Sequence, residues 1–498
     1  MKRGFTDYAD RKTWSCDVCV IGAGAGGAAV ACALAERGHD VIVLEAGSHW
    51  NPAQFKQDSA WAYRNLYQDH GTRAAVGNCA IPVPGGRGVG GSTLINSAIC
   101  FKTPDVILDE WSGVHGCNRL TKEAMAPRLD RVWKTIGVTV NPITVQRNNN
   151  VIVKRGADAL GLPGAFMHRS APGCIGCGVC QMGCPTGGKS TVDRSFLALA
   201  TQTGRTRIHA DCRVQTVRTK RGRLVSVSGR TMNPETLEAA GRFTVEAKAF
   251  VCSAGPIGSP RFLLSSGLAD DSVCGQHLYI HPSSGQVGRT EELVEPWHGV
   301  TQGFYVDRWE KGYLIQTYSV SPDQLYAAMP FSLGPHLLGV IQDMRNMIMA
   351  GPLVHDEDSE GRVTLSGLVY FLGDGDRRKL LEGIRETARV MFAAGAVEVY
   401  TGIAGSGPIE HVNHIERAIP DDIPARDLYL YASHPMATCR MGDDPATSVV
   451  DPDGRVWGWD NLYLADASVF PTSLGVNPQV TTMAIGLTVG EAVSESMG

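Results

Sequence analysis

The sequence predicts an α/β fold in which a dinucleotide-binding domain is joined to a second domain built on an antiparallel sheet, with a cysteine-rich insertion. Three observations predict it. A glycine-rich turn lies between a buried strand and a helix near the N-terminus, segments of period two occur between residues 285 and 430, and four cysteines are closely spaced around residue 180. At 498 residues with 58 glycines, the chain is long enough for two or three domains.

Composition excludes several classes of partner. The net charge of −4 gives no reason to expect nucleic acid or an anionic membrane surface as a partner. No apolar run approaches the roughly 20 residues of a membrane span, so no integral membrane segment is expected. The N-terminus lacks the apolar region of a secretory signal, and 14 cysteines without such a signal indicate reduced thiols or metal ligands. We therefore expect a cytoplasmic protein, peripheral to a membrane at most through a partner.

The first element is a strand, glycine turn, helix and second strand. Gly22, Gly24 and Gly27 form G-x-G-x-x-G between an apolar strand and an alanine-rich helix predicted over 26–37. These glycines permit a tight turn and close approach of the backbone to a pyrophosphate, which then faces the helix N-terminus. Glu45 ends the second strand, 18 residues after the last glycine, where an acid can bind a ribose hydroxyl. The unit predicts dinucleotide binding.

Three later stretches decide which dinucleotide is expected. They are a glycine-dense loop over 82–104, a small-residue turn with an amphipathic helix over 252–267, and a strand, acidic turn and final helix over 460–493. With the N-terminal unit they resemble the glucose-methanol-choline (GMC) oxidoreductase family, whose cofactor is FAD. The resemblance implies that Gly90, Gly91 and Asn96 line the flavin and that Ala254 and Gly255 line the dinucleotide cleft. It implies that Asp466 meets the ribityl-pyrophosphate, with Ala467 as a further cofactor-binding residue.

The same resemblance implies how the cofactor is held and how the chain is divided. Some family members attach FAD through a histidine at the position of Ile95, so we expect FAD to be bound non-covalently here. The implied segments are a first part of the Rossmann-like FAD-binding domain (1–165), a cysteine-rich iron–sulfur segment (166–195), a second FAD-binding part (196–284), a substrate-binding domain (285–430) and a C-terminal FAD-binding part (431–498).

Residues between 285 and 430 are expected to form the antiparallel sheet behind the active site. "GYLIQTYSV" and "GRVTLSGLVYFL" alternate at period two, and a helix is predicted from Asp376 on the far side of the sheet. The apolar segment 321–344 fits a pocket lining and core packing equally well. The sequence does not identify the substrate.

Two polar residues are the candidates for catalysis. Oxidation of an alcohol needs a base for the hydroxyl proton, and an imidazole with a pKa near 6.5 suits that role. A side-chain amide can hold the alkoxide-like oxygen. His434 in "SHPMATCRMG" and Asn477 in "GVNPQ" resemble the His/Asn pair of GMC alcohol dehydrogenases. His281, in a second His-Pro pair, is interpreted as structural, with a place in the pocket as the alternative.

The four cysteines have the spacing of a cluster site. Cys174, Cys177, Cys180 and Cys184 precede Pro185 in C-x2-C-x2-C-x3-C-P, the run that binds an iron–sulfur cluster in bacterial ferredoxins. The surrounding pattern resembles the long-chain-alcohol-oxidase-like branch of the GMC family, and three of the cysteines match the run of cytochrome-linked FAD glucose dehydrogenases. That resemblance implies a 3Fe–4S cluster, whereas the fourth thiol permits 4Fe–4S. Binding of a zinc ion by the same four thiols is the main alternative to a cluster.

Together these features predict an FAD-dependent dehydrogenase of a small-molecule alcohol that passes electrons through the cluster to a protein acceptor. An oxygen-using alcohol oxidase with a structural metal is the alternative. An electron carrier without a substrate of its own, and a lyase that uses flavin only structurally, are the remaining hypotheses.

Overall fold

Two eight-stranded sheets organise the computed structural model, which describes residues 2–8, 11–324 and 341–498. The strands are β1 (Lys2–Arg3), β2 (Arg11–Ile21), β3 (Val41–Leu44), β4 (Ala74–Val76), β5 (Ala80–Pro82), β6 (Thr139–Val140), β7 (Gly164–Phe166), β8 (His168–Arg169), β9 (Thr206–His209), β10 (Cys212–Lys220), β11 (Arg223–Met232), β12 (Ala239–Cys252), β13 (Ser283–Ser284), β14 (Gln286–Thr290), β15 (Phe304–Arg308), β16 (Tyr313–Thr317), β17 (Met347–Val354), β18 (Glu360–Val363), β19 (Leu368–Phe371), β20 (Ala396–Tyr400), β21 (Leu430–Tyr431) and β22 (Leu462–Leu464). The α-helices are α1 (Ala25–Glu36), α2 (Ser59–Leu66), α3 (Asp105–Gly113), α4 (Lys122–Thr135), α5 (Ile143–Ala159), α6 (Phe196–Gln202), α7 (Gly255–Ser265), α8 (Asp374–Ala393), α9 (Ile415–Ala418) and α10 (Gln479–Ser496).

The first sheet has the order β1–β9–β3–β2–β12–β11–β10, with β22 beside β12. Its strands β1, β9, β3, β2, β12 and β22 run parallel, and β10, β11 and β12 form an antiparallel meander. Helix α1 follows β2 directly, so the predicted strand–turn–helix–strand unit is confirmed, with the helix one residue earlier than predicted. The carboxyl ends of β2, β12 and β22 meet at one edge, where open α/β sheets bind ligands.

Helix α1 is buried on all sides and packs against α10 through small residues. A Cβ at Gly486 would lie 2.6 Å from the carbonyl oxygen of Gly26, and one at Gly490 would lie 2.8 Å from Cβ of Ala33. Only hydrogen in place of a side chain allows the two helices to approach this closely. The last helix is therefore part of the dinucleotide-binding domain, although nearly the whole chain separates it from α1.

The second sheet is antiparallel and has the order β20–β14–β17–β16–β15–β7, with β13 joining β17 to β21. Helices α5 and α8 pack on it, as the sequence predicted for the helix that begins near Asp376. The hairpin β18–β19 was expected in this sheet but belongs to a separate four-stranded sheet, β18–β19–β4–β5. Residues 325–340 of the apolar segment 321–344 lie outside the described residues.

Pairing crosses the predicted segment boundaries in two places. Strand β4, from the segment predicted as the first FAD-binding part, pairs with β19 and carries β5 on its other edge, and β7 pairs with β15. Backbone hydrogen bonding at sheet edges joins these strands, which a division by sequence position cannot anticipate. No helix in the described part of the chain is long and apolar enough to cross a bilayer.

Candidate active site and cysteine-lined cavity

The glycine turn after β2 leaves no room for side chains. Gly22 has φ +108°, and its N–H donates to the carbonyl oxygen of Leu44 at 2.8 Å. A Cβ on Gly22 would lie 2.2 Å from the carbonyl oxygen of Ser253, and a Cβ on Gly27 would lie 2.1 Å from that of Gly22. Gly24, by contrast, caps α1 and has only one atom, 3.9 Å away, near its own Cβ position. The turn therefore presents the amide end of α1 to open space.

The second glycine loop touches the first. The N–H of Gly90 donates to the carbonyl oxygen of Ala23 at 3.0 Å, and a Cβ on Gly91 would lie 2.7 Å from Cα of Gly24. Farther along the loop, the amide of Asn96 donates to Oε1 of Gln479 at 3.0 Å. The two predicted cofactor-binding loops thus form one continuous backbone surface.

Glu45 links these two loops. Its carboxylate accepts hydrogen bonds from the backbone N–H groups of Ala23 at 3.0 Å, Gly47 at 2.9 Å and Gly88 at 3.2 Å. Burial raises the pKa of Glu45, and the three amides act against that rise. The carboxylate predicted to bind a ribose therefore also fixes the shape of the cleft.

Asp466 likewise links separate backbone segments through hydrogen bonds, beside the helix α7 N-terminus. Its carboxylate accepts from the N–H of Gly255 at 3.0 Å, from Oγ of Ser259 at 2.6 Å and from the N–H of Ser468 at 2.7 Å. Gly255, next to Ala254, has φ +83° and no atom within 4 Å of its Cβ position, so it too borders open space. The carbonyl of Ala467 accepts from the N–H of Ala437, which leads toward His434. The residues predicted to bind the cofactor are therefore joined by backbone contacts around the glycine turn after β2.

His434 and Asn477 are in contact, as the sequence predicted for a catalytic pair. Nε2 of His434 lies 3.2 Å from Nδ2 of Asn477. The other ring nitrogen of His434, Nδ1, lies 3.3 Å from Nδ1 of His281. Nε2 of His281 in turn accepts the backbone N–H of Gly475 at 2.8 Å. His281, which the sequence suggested is structural, therefore contacts the candidate catalytic pair.

Two residues that the sequence did not indicate hold the two ends of this row of hydrogen-bonded groups. Gln316 donates from Nε2 to Oδ1 of Asn477 at 2.8 Å. The fully buried carboxylate of Asp356 accepts from the N–H of Ile280 at 2.8 Å and from Oγ of Ser473 at 2.7 Å. It thereby ties the backbone before His281 to the loop that carries Asn477. The His-Pro pair at 281 was the one sequence feature that pointed to this region. No sequence feature pointed to Gln316 or Asp356.

Burial keeps both histidines neutral. It lowers the pKa of His434 to about 4 and, with the nearby imidazole of His434, lowers the pKa of His281 well below its ordinary value. A protonated ring here would lose hydration that no ring-bound carboxylate replaces, because Asp356 accepts the backbone N–H of His281, at 3.3 Å, and not its ring. At neutral pH each ring therefore carries one N–H hydrogen.

The four predicted cysteine ligands line one cavity, together with two buried cationic side chains. Arg169 is fully buried and Lys189 is 2% exposed. Among residues 2–8, 11–324 and 341–498, however, no group of three or more His, Cys, Asp or Glu side chains is arranged to hold a single metal ion. The cysteines that line the cavity are Cys174, Cys177, Cys180 and Cys184.

The two cations connect this cavity to the second glycine loop. Arg169 donates to the carbonyl oxygen of Ser97 at 2.9 Å, and its other nitrogens lie 3.7 Å from Sγ of Cys174 and 3.4 Å from Sγ of Cys180. Lys189 donates to the backbone carbonyls at 94, 96 and 180 at 2.9, 2.8 and 3.1 Å. Burial raises the pKa of the Cys180 thiol, but Arg169 and Lys189 outweigh it and hold the pKa below its usual value.

A glycine-rich dinucleotide-type turn together with a histidine–amide pair is the arrangement expected of an oxidoreductase, and comparison with known proteins specifies the family. Models described as GMC oxidoreductase match residues 63–283 and 357–486, and one described as an NAD(P)-binding Rossmann-like domain matches 20–51. The chain belongs to the GMC oxidoreductase family and is an FAD-dependent oxidoreductase acting on alcohol-type substrates.

Similar sequences and solved structures are consistent with this family assignment. The chain is 33% identical over 481 residues to an uncharacterized GMC-type oxidoreductase of Mycobacterium tuberculosis, covering 95% of this chain and 75% of the relative. It is 27% identical to a long-chain-alcohol oxidase of Arabidopsis thaliana, covering 97% and 68% of the two chains. Among solved structures, pyridoxine 4-oxidase from Mesorbium loti has a TM-score of 0.73 at 18% identity, covering 96% of this chain and 98% of its own. A formate oxidase variant of Aspergillus oryzae, from a study of FAD modification, has a TM-score of 0.72 at 15% identity, covering 97% and 98%.

Proposed function

We propose that this protein is an FAD-dependent alcohol dehydrogenase that converts an alcohol to an aldehyde or ketone. Its electrons leave through an iron–sulfur cluster bound by Cys174, Cys177, Cys180 and Cys184 to a protein acceptor. The contact between His434 and Asn477 supports the first half of this proposal. The buried cations at the cysteine-lined cavity support the second.

The cleft fits FAD because its donors are backbone amides. The N-terminus of α1 at Gly24 and the left-handed backbone at Gly255 border open space, which suits a pyrophosphate. Glu45 is placed to meet a ribose hydroxyl beside the same turn. When bound, FAD would accept the hydride that leaves the alcohol carbon. Ile95 offers no nucleophile for attachment, so we expect FAD to be released when the protein is denatured.

His434 and Asn477 are the proposed catalytic residues: His434 would accept the hydroxyl proton while hydride leaves the alcohol carbon, and Asn477 would hydrogen-bond the alkoxide-like oxygen. Asn477 is 7% exposed and His434 is half-buried, and this partial exclusion of water strengthens hydrogen bonds to an oxygen on which charge develops. Gln316 holds the amide of Asn477, and His281 holds the ring of His434. The pair is therefore oriented before a substrate arrives.

The cluster proposal depends on the charge of the cysteine-lined cavity. Burying a cation without an anion costs several kcal/mol. Yet Arg169 and Lys189 form hydrogen bonds with carbonyls, an amide and sulfur, and neither makes an ion pair with a carboxylate in the described part of the chain. Cys180 and Cys184 raise the pKa of Lys189 more than Asp193 does, although burial lowers it overall. Thiolates around an iron–sulfur cluster would supply the missing negative charge.

A cluster suits the four thiols better than zinc. The four cysteines follow one another at three short gaps and precede Pro185, which is the run that binds a cluster in ferredoxins. Zinc is usually held by two separated C-x2-C pairs. Through Lys189 and Arg169 the cysteine-lined cavity adjoins the loop proposed to line the flavin.

An oxygen-using alcohol oxidase is the second candidate. The Arabidopsis relative is named as a long-chain-alcohol oxidase, and two structural neighbours are also oxidases. In that case the four cysteines would bind a structural metal. Long-chain primary alcohols are the first substrates to test under either proposal.

Two measurements on the purified protein separate these functions. Iron and acid-labile sulfide in near-equal amounts support the cluster, and zinc or no metal refutes it. Anaerobic titration with primary and secondary alcohols should bleach the flavin band, and no bleaching with any alcohol would refute alcohol oxidation. In air, hydrogen peroxide formed in proportion to the alcohol consumed would favour the oxidase over the dehydrogenase.

A further inference from the structure

Three arginines lie side by side on the antiparallel meander β10–β11–β12. Arg213 of β10 is directly opposite Arg230 of β11, and Arg230 is directly opposite Arg242 of β12. Residues opposite each other in a sheet project from the same face, and neighbouring strands are about 4.8 Å apart. The three side chains therefore form one arginine row across three strands, and like charges in this arrangement repel each other.

The arginine row is on the solvent side of the meander. Val227, which projects from the opposite face, is fully buried in the core. Arg213 and Arg242 are exposed and Arg230 is half-buried. The next positions on the same outer face are occupied by hydroxyl side chains, namely Thr216, Ser228 and Thr244. This face therefore presents positive charge and hydrogen-bond donors to the surroundings.

The carboxylates of the meander do not neutralise the arginine row in the described part of the chain. Glu246 pairs with Arg218 at 3.1 Å. Glu235 and Glu238 are in the turn between β11 and β12, and neither forms an ion pair with a described residue. Nε of Arg230 is covered and has no hydrogen-bond acceptor there. The row therefore remains positively charged.

Two further cations lie at the turn that joins β10 to β11. Both are exposed, and neither is paired with an acid among the described residues. They begin seven residues after Arg213, so they are about 23 Å from it along the strand. Residues 212–248 contain eight Lys and Arg against three Asp and Glu, although the whole chain has a net charge of −4. We call the resulting surface the basic face, which consists of Arg213, Lys220, Arg221, Arg230 and Arg242.

Protection of a sheet edge explains only part of this pattern. β10 is an edge strand, and charged side chains on an edge strand hinder pairing with another chain. That accounts for Arg213, whereas β11 and β12 are paired on both sides. Arg230 and Arg242 have no edge to protect, and their repulsion destabilises the sheet. A row that is maintained at this cost fits a partner of opposite charge.

We propose that the basic face docks the protein onto an anionic lipid surface. Protein interfaces usually have apolar or aromatic residues at their centre, and no large apolar side chain is exposed among residues 212–252. A second copy of this chain would bring two positive faces together. A layer of anionic headgroups, in contrast, attracts Lys and Arg through charge alone and meets both groups of cations at once.

A bilayer is also where a long-chain alcohol is concentrated. Each methylene group favours transfer from water to hydrocarbon by about fourfold, so a long alkyl chain draws the alcohol into the membrane. The choice of lipid over another polyanion therefore rests on the alcohol oxidation proposed above. The positive charge of the basic face does not depend on it.

The test is sedimentation of the purified holoenzyme with lipid vesicles. Phosphatidylcholine vesicles with about one third phosphatidylglycerol carry negative charge, and vesicles of phosphatidylcholine alone are the uncharged comparison. The double variant Arg230→Gln/Arg242→Gln removes two cations from the arginine row and keeps polar side chains. Arg378→Gln/Arg417→Gln, on α8 and α9, is the matched control, because these arginines are exposed and the net charge changes equally.

We expect the wild-type protein and the control variant to bind the anionic vesicles equally. Arg230→Gln/Arg242→Gln should bind about 25-fold more weakly, since each cation near an anionic surface contributes about fivefold. Binding should be absent on uncharged vesicles and lost at about 1 M salt, where the Debye length is about 3 Å. Arg213→Gln/Lys220→Gln, on the same face, has the same expected effect and carries the test if the first variant fails to fold.

Three results would overturn the inference. They are wild-type binding that does not distinguish the two kinds of vesicle, equal binding by the basic-face and control variants, and tighter binding to a double-stranded DNA fragment than to the anionic vesicles. Reduction of the flavin by long-chain alcohols is measured separately, without vesicles. Its absence alongside specific vesicle binding would refute the proposed function and leave the docking surface, whereas its presence without vesicle binding would refute only the docking surface.

Discussion

Substitution of Gly475 by alanine tests the loop that holds both His281 and Asn477. Gly475 has φ +72°, and its N–H is the fixed donor at the start of the hydrogen-bond chain. A methyl group at this position would lie 2.1 Å from Cζ3 of Trp309 and 2.3 Å from Cη2. The left-handed backbone costs an alanine about 1–2 kcal/mol, and the clash with the indole adds about 1–3 kcal/mol. We therefore expect Gly475→Ala to lower the free energy of unfolding by about 2–5 kcal/mol.

Gly405→Ala is the matched control. Gly405 has the same φ of +72° but no atom within 4 Å of its Cβ position, so the variant carries only the backbone cost. Urea unfolding of the two holoenzymes at equal protein and FAD concentration, followed by tryptophan fluorescence, gives the difference. In stopped-flow experiments, Gly475→Ala should also slow flavin reduction by about 10²-fold, since a shift of 1 Å in a positioning group has that effect.

A second substitution tests whether the clash with Trp309 causes the loss of stability in Gly475→Ala. Trp309→Phe removes the outer indole atoms that the new methyl group meets, so it should restore about 1–3 kcal/mol to Gly475→Ala but not to Gly405→Ala. If the two alanine variants unfold at the same free energy and reduce flavin equally fast, the contact between the loop and Trp309 does not constrain the active site.

Other predictions follow from the same contacts. His434→Ala should slow flavin reduction by roughly 10²–10⁴-fold at normal FAD content, and a near-normal rate would refute a direct role in catalysis. Because burial lowers the pKa of His434 to about 4, its contribution to stability is complete above pH 6.5 and is lost as the pH falls toward 4. It amounts to about 3 kcal/mol, and urea unfolding between pH 4 and 7 should show a weaker pH dependence in His434→Ala. Acid precipitation should release FAD into the supernatant, and flavin in the pellet would refute non-covalent binding. Cys184→Ser should abolish or alter the paramagnetic signal of the cluster and slow reduction of a protein acceptor, but not flavin reduction in a single turnover. Cys177→Ser separates cluster types, because a three-iron cluster can persist without that thiol, and full acceptor turnover in both cysteine variants would refute an electron relay.

Local features of the sequence predicted local structure well. The turn at Gly22 and the helix after it depend on steric limits within a few residues, so their positions were predicted to within one residue. The contact between His434 and Asn477 followed from a family resemblance rather than from spacing.

Features that depend on distant segments could not be predicted. Asp356 forms its hydrogen bonds because three separate segments, at 280, 370 and 473, converge on one buried carboxylate. Nothing near Asp356 in the sequence distinguishes it from a surface acid. The position of His281 beside His434 likewise depends on two loops far apart in the chain. The joining of β19 to β4 has the same origin, because parallel pairing gives no local sequence signal.

The packing of α10 on α1 determines when the cofactor site can form during synthesis. The Cβ position of Gly26 lies 1.8 Å from the carbonyl oxygen of Ala465, so the glycine turn is completed by residues about 440 positions later. At about 5–20 residues per second, a ribosome needs roughly 20 to 90 s to supply them. Until then the turn and α1 have an exposed apolar surface and no final helix to cover it. We therefore expect flavin to bind only after these C-terminal residues have been synthesised.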